Sequence, residues 1–105
     1  MPTLAPEAPP AEATQEEVLE QLAPRWRVIC HDDPITTMEF VVLVLREVFG
    51  LTQARAFERM MRVHTGGGAD IGSWPEDEAR VKVTRATARA RSAGFPLTFT
   101  LEPAD

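Results

Sequence analysis

The chain has 105 residues, 44% hydrophobic and 26% charged, which suits one small globular domain and little more. The net charge of −5 belongs to residues 1–24, where Glu7, Glu12, Glu16, Glu17 and Glu20 meet no Lys or Arg; from Arg25 onward eleven acids balance eleven bases. That balance lacks the basic surplus on which phosphate-backbone binding depends, so no nucleic-acid partner is expected.

Residues 1–23 carry Pro2, Pro6, Pro9 and Pro10 among Ala and Glu, a composition that buries too little apolar surface to offset its ordering entropy. They read as a disordered extension, with Val18, Leu19 and Leu22 able to form one helical turn, ahead of a domain over 24–105. Arg25-Trp-Arg-Val-Ile-Cys30 alternates polar and apolar residues and predicts a strand with Trp26, Val28 and Cys30 on one face. His31-Asp-Asp-Pro-Ile35 is a turn. Thr36 and Glu39 fit a capping box, opening a helix to about Phe49 with Met38, Val41, Val42, Leu45 and Phe49 on one stripe and Gly50 closing it. Thr52 caps a second helix to about Thr65, with Ala56, Phe57, Met60, Val63 and His64 at helical spacing. Gly66-Gly-Gly68 stops it, and Ala69 to Trp74 is extended. Pro75 suits the first turn of a third helix, whose positive end favours Glu76, Asp77 and Glu78 and which runs to about Ala93 before Gly94. Leu97 to Glu102 alternates and is the last strand. The order β-α-α-β-α-β predicts an α+β sandwich: a three-stranded antiparallel sheet with three helices on one face.

The longest strongly apolar run, Phe40 to Leu45, is far short of the roughly 20 residues that span a bilayer. No membrane partner and a cytoplasmic location are therefore expected. Cys30 alone can form no internal disulfide and no thiolate metal site. His31, Asp32, Asp33 and His64 are the only grouping of His with carboxylates, and no spacing among them fixes two metal ligands on one helix face. No nucleophile context accompanies them, which argues against an enzyme; a solvated turn and a satisfied helix-end histidine are the plain alternative. Met38, Met60 and Met61 with Val41, Val63 and Leu97 are apolar residues at core spacing, but Met38 and Leu97 sit at element ends where a core can open. An apolar pocket rimmed by a carboxylate, a hydroxyl and an imidazole suits an ammonium group joined to a large apolar side chain, as at a peptide N-terminus.

Asp32-Asp-Pro-Ile-Thr-Thr-Met-Glu-Phe-Val41 resembles the loop-to-helix signature N-D-x-x-T-P-M-E-F-V of ClpS, the adaptor of the ATP-dependent Clp protease. Arg59-Met-Met-Arg-Val-His-Thr-Gly-Gly-Gly-Ala69 is similar to the family's M-x-x-V-H-x-x-G-x-A, and Pro96-Leu-Thr-Phe-Thr-Leu-Glu102 to its closing P-L-x-x-T-L-E. The resemblance runs over residues 25–102 without gaps. It implies a non-enzymatic, cofactor-free and monomeric adaptor that binds destabilising N-terminal residues (Leu, Phe, Tyr, Trp) and hands their bearers to a Clp AAA+ unfoldase. By the same resemblance Asp32, Asp33 and His64 hold the ligand's α-amino group and first peptide unit. Ile35, Thr36, Met38, Val41, Met60, Val63 and Leu97 line the side-chain pocket, with Met38 as the gate against β-branched residues. Asp77 and Lys82 face the N-terminal domain of the unfoldase, and the extension acts as the arm used in hand-over. Asp32 stands where the family has Asn and adds a formal charge, while Pro34 and Thr37 stand where an acid and Pro are usual and alter loop stiffness. The alternative is a non-peptide interaction domain of similar fold, of the kind that recruits translation factors to the ribosomal stalk.

Overall fold

The computed structural model describes Thr14, Gln15, Val18 and residues 23–104. Of the turn expected around Val18, the Val18 N–H donates to Thr14 O at 3.1 Å; Leu19, Leu22 and most of the extension lie outside the described residues. From Arg25 onward the order is β1 (Arg25–His31), α1 (Met38–Glu47), α2 (Gln53–Gly66), β2 (Gly68–Pro75), α3 (Glu76–Ser92) and β3 (Thr98–Ala104). β1 is the central strand, antiparallel to β2 on one side and β3 on the other.

The alternation of β1 divides the sheet into two faces. Val28 and Cys30 are fully buried, and Trp26 packs against the same core. Opposite them on the inner face stand Phe99 and Leu101 of β3 and Trp74 of β2. The outer face is polar: Arg27 pairs with Glu102 at 3.1 Å, and His31 Nε2 lies 2.7 Å from Thr100 Oγ1. A bulge opposite Val28 and Ile29 gives β2 one extra residue, Ile71, which turns into the core at 1% exposure. Gly72 follows at φ 150°, and a Cβ there would stand 2.7 Å from the Trp74 ring, so only glycine lets the indole fold back over the strand.

Helix α1 is capped one residue later than the capping-box pattern suggests. Thr37, in extended conformation, accepts from Phe40 N–H, because the Thr36 hydroxyl is committed to Asp33. The helix closes at Glu47 rather than Phe49, and its buried stripe is Val41, Val44 and Leu45, followed by Val48 and Phe49. Val44 takes the place expected for Val42, which is half-buried. In α2 the Thr52 cap accepts from Arg55 N–H, and Ala56, Met60 and Val63 face inward. Phe57, expected on the same stripe, is 53% exposed, and His64 is exposed too. Gly67 ends α2 at φ 86°.

Helix α3 starts after Pro75 with Glu76, Asp77 and Glu78 in its first turn. It buries Ala79, Ala86 and Ala90, whose small side chains let its backbone approach the sheet. Helices α2 and α3 lie against the strands and α1 against α2. Phe49 joins the layers, its ring 5.6 Å from Trp74 and 5.3 Å from Phe99. The β3 strand begins at Thr98, one residue after the expected start, and Leu97 sits just ahead of it at 1% exposure.

Candidate functional site

The loop between β1 and α1 carries the polar residues of interest, and two features give it shape. Asp32 N–H donates to Gly67 O at 3.0 Å, which ties the loop to the C-terminal end of α2. Asp33 then folds the loop about its own carboxylate. Its Oδ1 accepts from the N–H groups of Ile35 at 2.8 Å and Thr36 at 2.7 Å, and its Oδ2 from the Thr36 hydroxyl at 2.7 Å. Partial desolvation pushes the Asp33 pKa up, but the bonds from Thr36 and Ile35 and the charge of Arg91 outweigh it together and leave the carboxyl below its ordinary value. A carboxylate offers about four acceptor positions, so one remains after these three bonds.

The Asp32 tie to Gly67 has a consequence for His64, in the last turn of α2. Its Nδ1 lies 3.9 Å from Asp32 Oδ1, with both side chains reaching solvent. The expected trio is thus assembled from two elements, but with unequal tasks: Asp33 organises the loop, while Asp32 and His64 face outward as a partly open polar pair. His31 does not join them, being engaged with Thr100 on the outer sheet face. Among the described residues no group of three or more His, Cys, Asp or Glu is arranged to hold a metal ion. Cys30 is fully buried, and burial, followed by the charges of Asp32 and Asp33, pushes its thiol pKa up to about 12, so it is a small core residue rather than a nucleophile.

The apolar residues of the expected pocket separate into floor and rim. Val41, Met60, Val63 and Leu97 are buried at 7% exposure or less, whereas Met38 and Ile35 are 42% and 61% exposed. A cavity of about 440 Å³ opens between α1 and α2; it shares Met38 and Met60 with this set and adds Val42, Leu43 and Phe57. Asp32, Asp33 and His64 do not line it, and neither do Val41, Val63 and Leu97. Residues the motifs did not point to include Arg91, whose Nη1 donates to Phe95 O at 3.0 Å and Leu97 O at 2.8 Å. A cation in the last turn of a helix, a few residues before a Pro, is the only sequence signal for such a clamp.

At the far side, Asp77 is exposed in the first turn of α3. Lys82 lies with its Nζ 3.6 Å from Glu78 and 5.5 Å from the Trp74 ring centroid, its stem largely covered. Five residues apart on a helix of about 3.6 residues per turn, the two side chains project in different directions. Val81, four residues from Asp77 and 55% exposed, shares the face of Asp77 instead.

The class is that of a small α+β domain with three helices on a three-stranded antiparallel sheet and a paired carboxylate and imidazole at the surface. The family model described as ATP-dependent Clp protease adaptor protein ClpS matches residues 21–100. The ATP-dependent Clp protease adapter protein ClpS of Ruegeria sp. (strain TM1040) is 42% identical over 85 residues, covering 81% of this chain and 75% of that protein. Its counterpart in Nitratidesulfovibrio vulgaris (strain DSM 19637 / Miyazaki F) is 45% identical over 89 residues, covering 84% and 86%. The structure of Agrobacterium tumefaciens ClpS2 bound to L-phenylalaninamide superposes with a TM-score of 0.74 at 36% identity, covering 77% of this chain and 98% of that one. The chain belongs to the ClpS family of Clp protease adaptors. Among the described residues no helix is long and apolar enough to cross a membrane.

Proposed function

We propose that this adaptor binds proteins through a free N-terminal residue with a large apolar side chain (Leu, Phe, Tyr or Trp) and delivers them to a Clp AAA+ unfoldase. The observation that carries the binding half is the Asp32–His64 pair, 3.9 Å apart, in a fold that buries Val41, Met60, Val63 and Leu97 in one core. A carboxylate there accepts from the ligand ammonium, the imidazole meets the first peptide unit, and the floor takes the side chain. Ile35, Thr36 and Met38 form the rim of this pocket, and Asp33 keeps the loop in place behind it. The ligand of the related Agrobacterium protein has the matching chemistry, since phenylalaninamide joins a free ammonium to an aromatic side chain and an amide.

Burying a Leu or Phe side chain contributes about 1.5–3 kcal/mol, and charge-assisted hydrogen bonds about as much again. Delivery would use α3, with Asp77 exposed in its first turn and Lys82 half-buried on another side of the helix, as the two contacts to the N-terminal domain of the unfoldase. A peptide panel varied only at its first residue tests the binding half. Peptides beginning with Leu or Phe should bind, and their acetylated forms should bind at least about tenfold more weakly, a difference of about 1.4 kcal/mol. Equal affinity for the acetylated peptides rules the proposal out.

A further inference from the structure

Met38, Val42, Leu43, Phe57 and Met60 wall the cavity of about 440 Å³ between α1 and α2, a volume within the range of about 300–1,000 Å³ common to ligand sites. Phe57 and Met38 both stand open to water on this concave surface, which marks a binding groove rather than a core. Helical register relates the groove to the polar pair. His64, Met60 and Phe57 are spaced four and three residues apart along α2 and so share one face. At about 1.5 Å per residue, Phe57 lies about 10 Å along the helix from His64. An extended peptide covers about 3.3 Å per residue, so its third to fifth residues come level with Phe57 when its first is held at His64. The rim is graded in charge as well. Glu39 stands in the first turn of α1 and Arg46 in its last, and neither has an ion pair among the described residues. The bond from Asp32 N–H to Gly67 O sets the start of α1 beside the end of α2 that carries His64. A chain that enters with its ammonium first therefore meets the acid before the base.

We propose that this groove is a second peptide subsite, taking an apolar side chain from the third to fifth residue of the same substrate segment whose first residue is read beside Asp32 and His64. The proposal rests on the function given above and adds to it a preference in the sequence that follows the first residue. Met38 and Met60 belong to both sets of residues, and their flexible thioether chains adapt to an apolar group on either side. Phe57 and Leu43 belong to the groove alone, which lets the two subsites be separated.

The experiment uses the full chain and peptides that begin with Leu and continue in Gly and Ser, with one further Leu moved through positions 2 to 6. In the parent the second Leu should raise affinity about fivefold at one of positions 3 to 5 and leave it nearly unchanged at 2 and 6. Phe57→Ser should abolish that gain while keeping the affinity for the peptide without a second Leu, and the exposure of Phe57 means that the melting temperature should hold. Phe57→Leu keeps an apolar wall and should keep most of the gain, and Leu43→Ser should reduce it from the opposite helix. A gain absent at every position overturns the proposal, and so does a gain that persists in both Phe57→Ser and Leu43→Ser. Sedimentation of the parent and Phe57→Ser covers the other occupant: a dimer that the substitution dissolves, with no positional gain, assigns the groove to a second copy of the chain and overturns the subsite. Failure of the parent to bind any Leu-initiated peptide removes the proposed function itself, whereas binding without a positional gain removes the second subsite alone.

Discussion

Asp32 and Asp33 are neighbours in the chain with different tasks. Asp33 accepts three hydrogen bonds within its own loop, and its carboxyl is held below the ordinary value of 3.8. The sign of the linkage follows: a carboxyl whose folded pKa is depressed stabilises the fold above its unfolded pKa and loses that contribution as pH falls through the folded value. Denaturant melts taken at descending pH should show stability falling below about pH 3.8, and Asp33→Asn should flatten that part of the profile while lowering stability at neutral pH. Asp32 is solvated and donates only its backbone N–H to the fold. Asp32→Asn should leave the melting temperature unchanged and weaken a Leu-initiated peptide about two- to fivefold with a flatter salt dependence, since a screened surface charge pair is worth about 1 kcal/mol or less. Titration of both forms at two ionic strengths checks this; equal affinity and equal salt slope would place Asp32 outside the site. Met38 is 42% exposed in the first turn of α1, so truncating it empties little core. Met38→Ala should cost little stability yet relax discrimination against peptides beginning with Ile or Val, and an unchanged Leu-over-Ile ranking would remove Met38 as the gate.

The β1–α1 junction shows how side-chain hydrogen bonds move an element boundary. Thr36 and Thr37 are both able to cap, and the sequence pattern with Glu39 favours Thr36. Asp33 decides otherwise by engaging both the backbone N–H and the hydroxyl of Thr36, which leaves Thr37 to accept from Phe40 N–H. Thr37→Ala should therefore cost about 1 kcal/mol of stability with little effect on the loop, while Thr36→Ala should raise the Asp33 midpoint. Thermal melts together with a carboxyl titration separate the two; a reversed pattern would restore Thr36 as the cap. At β2 the decision is steric. The bulge that turns Ile71 inward needs Gly72 beside the Trp74 ring, and that ring in turn supports the Lys82 stem on α3. The sheet and the start of α3 thus meet through Arg80 over the Trp26 ring and Lys82 over the Trp74 ring, whereas the ion pairs Arg80–Glu76 and Lys82–Glu78 lie within α3 and are worth a few tenths of a kcal/mol each.

For the molecule as a whole, the residues from Arg25 onward contain the core and the candidate site, whereas residues 2–22 offer mostly Pro, Ala and Glu. Deleting 2–22 should leave the melting temperature and peptide affinity nearly unchanged while reducing delivery to the protease. A large loss of thermal stability would instead show that Val18, Leu19 and Leu22 dock on the domain. The order of elements and the burial of Val28, Cys30, Ala56, Met60 and Val63 were legible in the chain, because period-2 and period-3.6 patterns, Thr caps and glycine stops act locally. The motif around Asp32, Met38 and His64 points to a site only through its resemblance to the ClpS signature, since residue types and spacing alone favour a solvated turn and a satisfied helix-end histidine. What stayed hidden depends on contacts between residues far apart in sequence or on competition for one group. Phe57 leaves the buried stripe because it lines the open cavity between α1 and α2, and Val44 replaces Val42 because packing selects the face of a helix that periodicity leaves ambiguous. The meeting of Asp32 with His64 requires the Gly67 carbonyl, and the clamp of Arg91 on Leu97 requires the return of the chain after α3. No local pattern encodes either, since each depends on where two separately specified elements come to rest against one shared core.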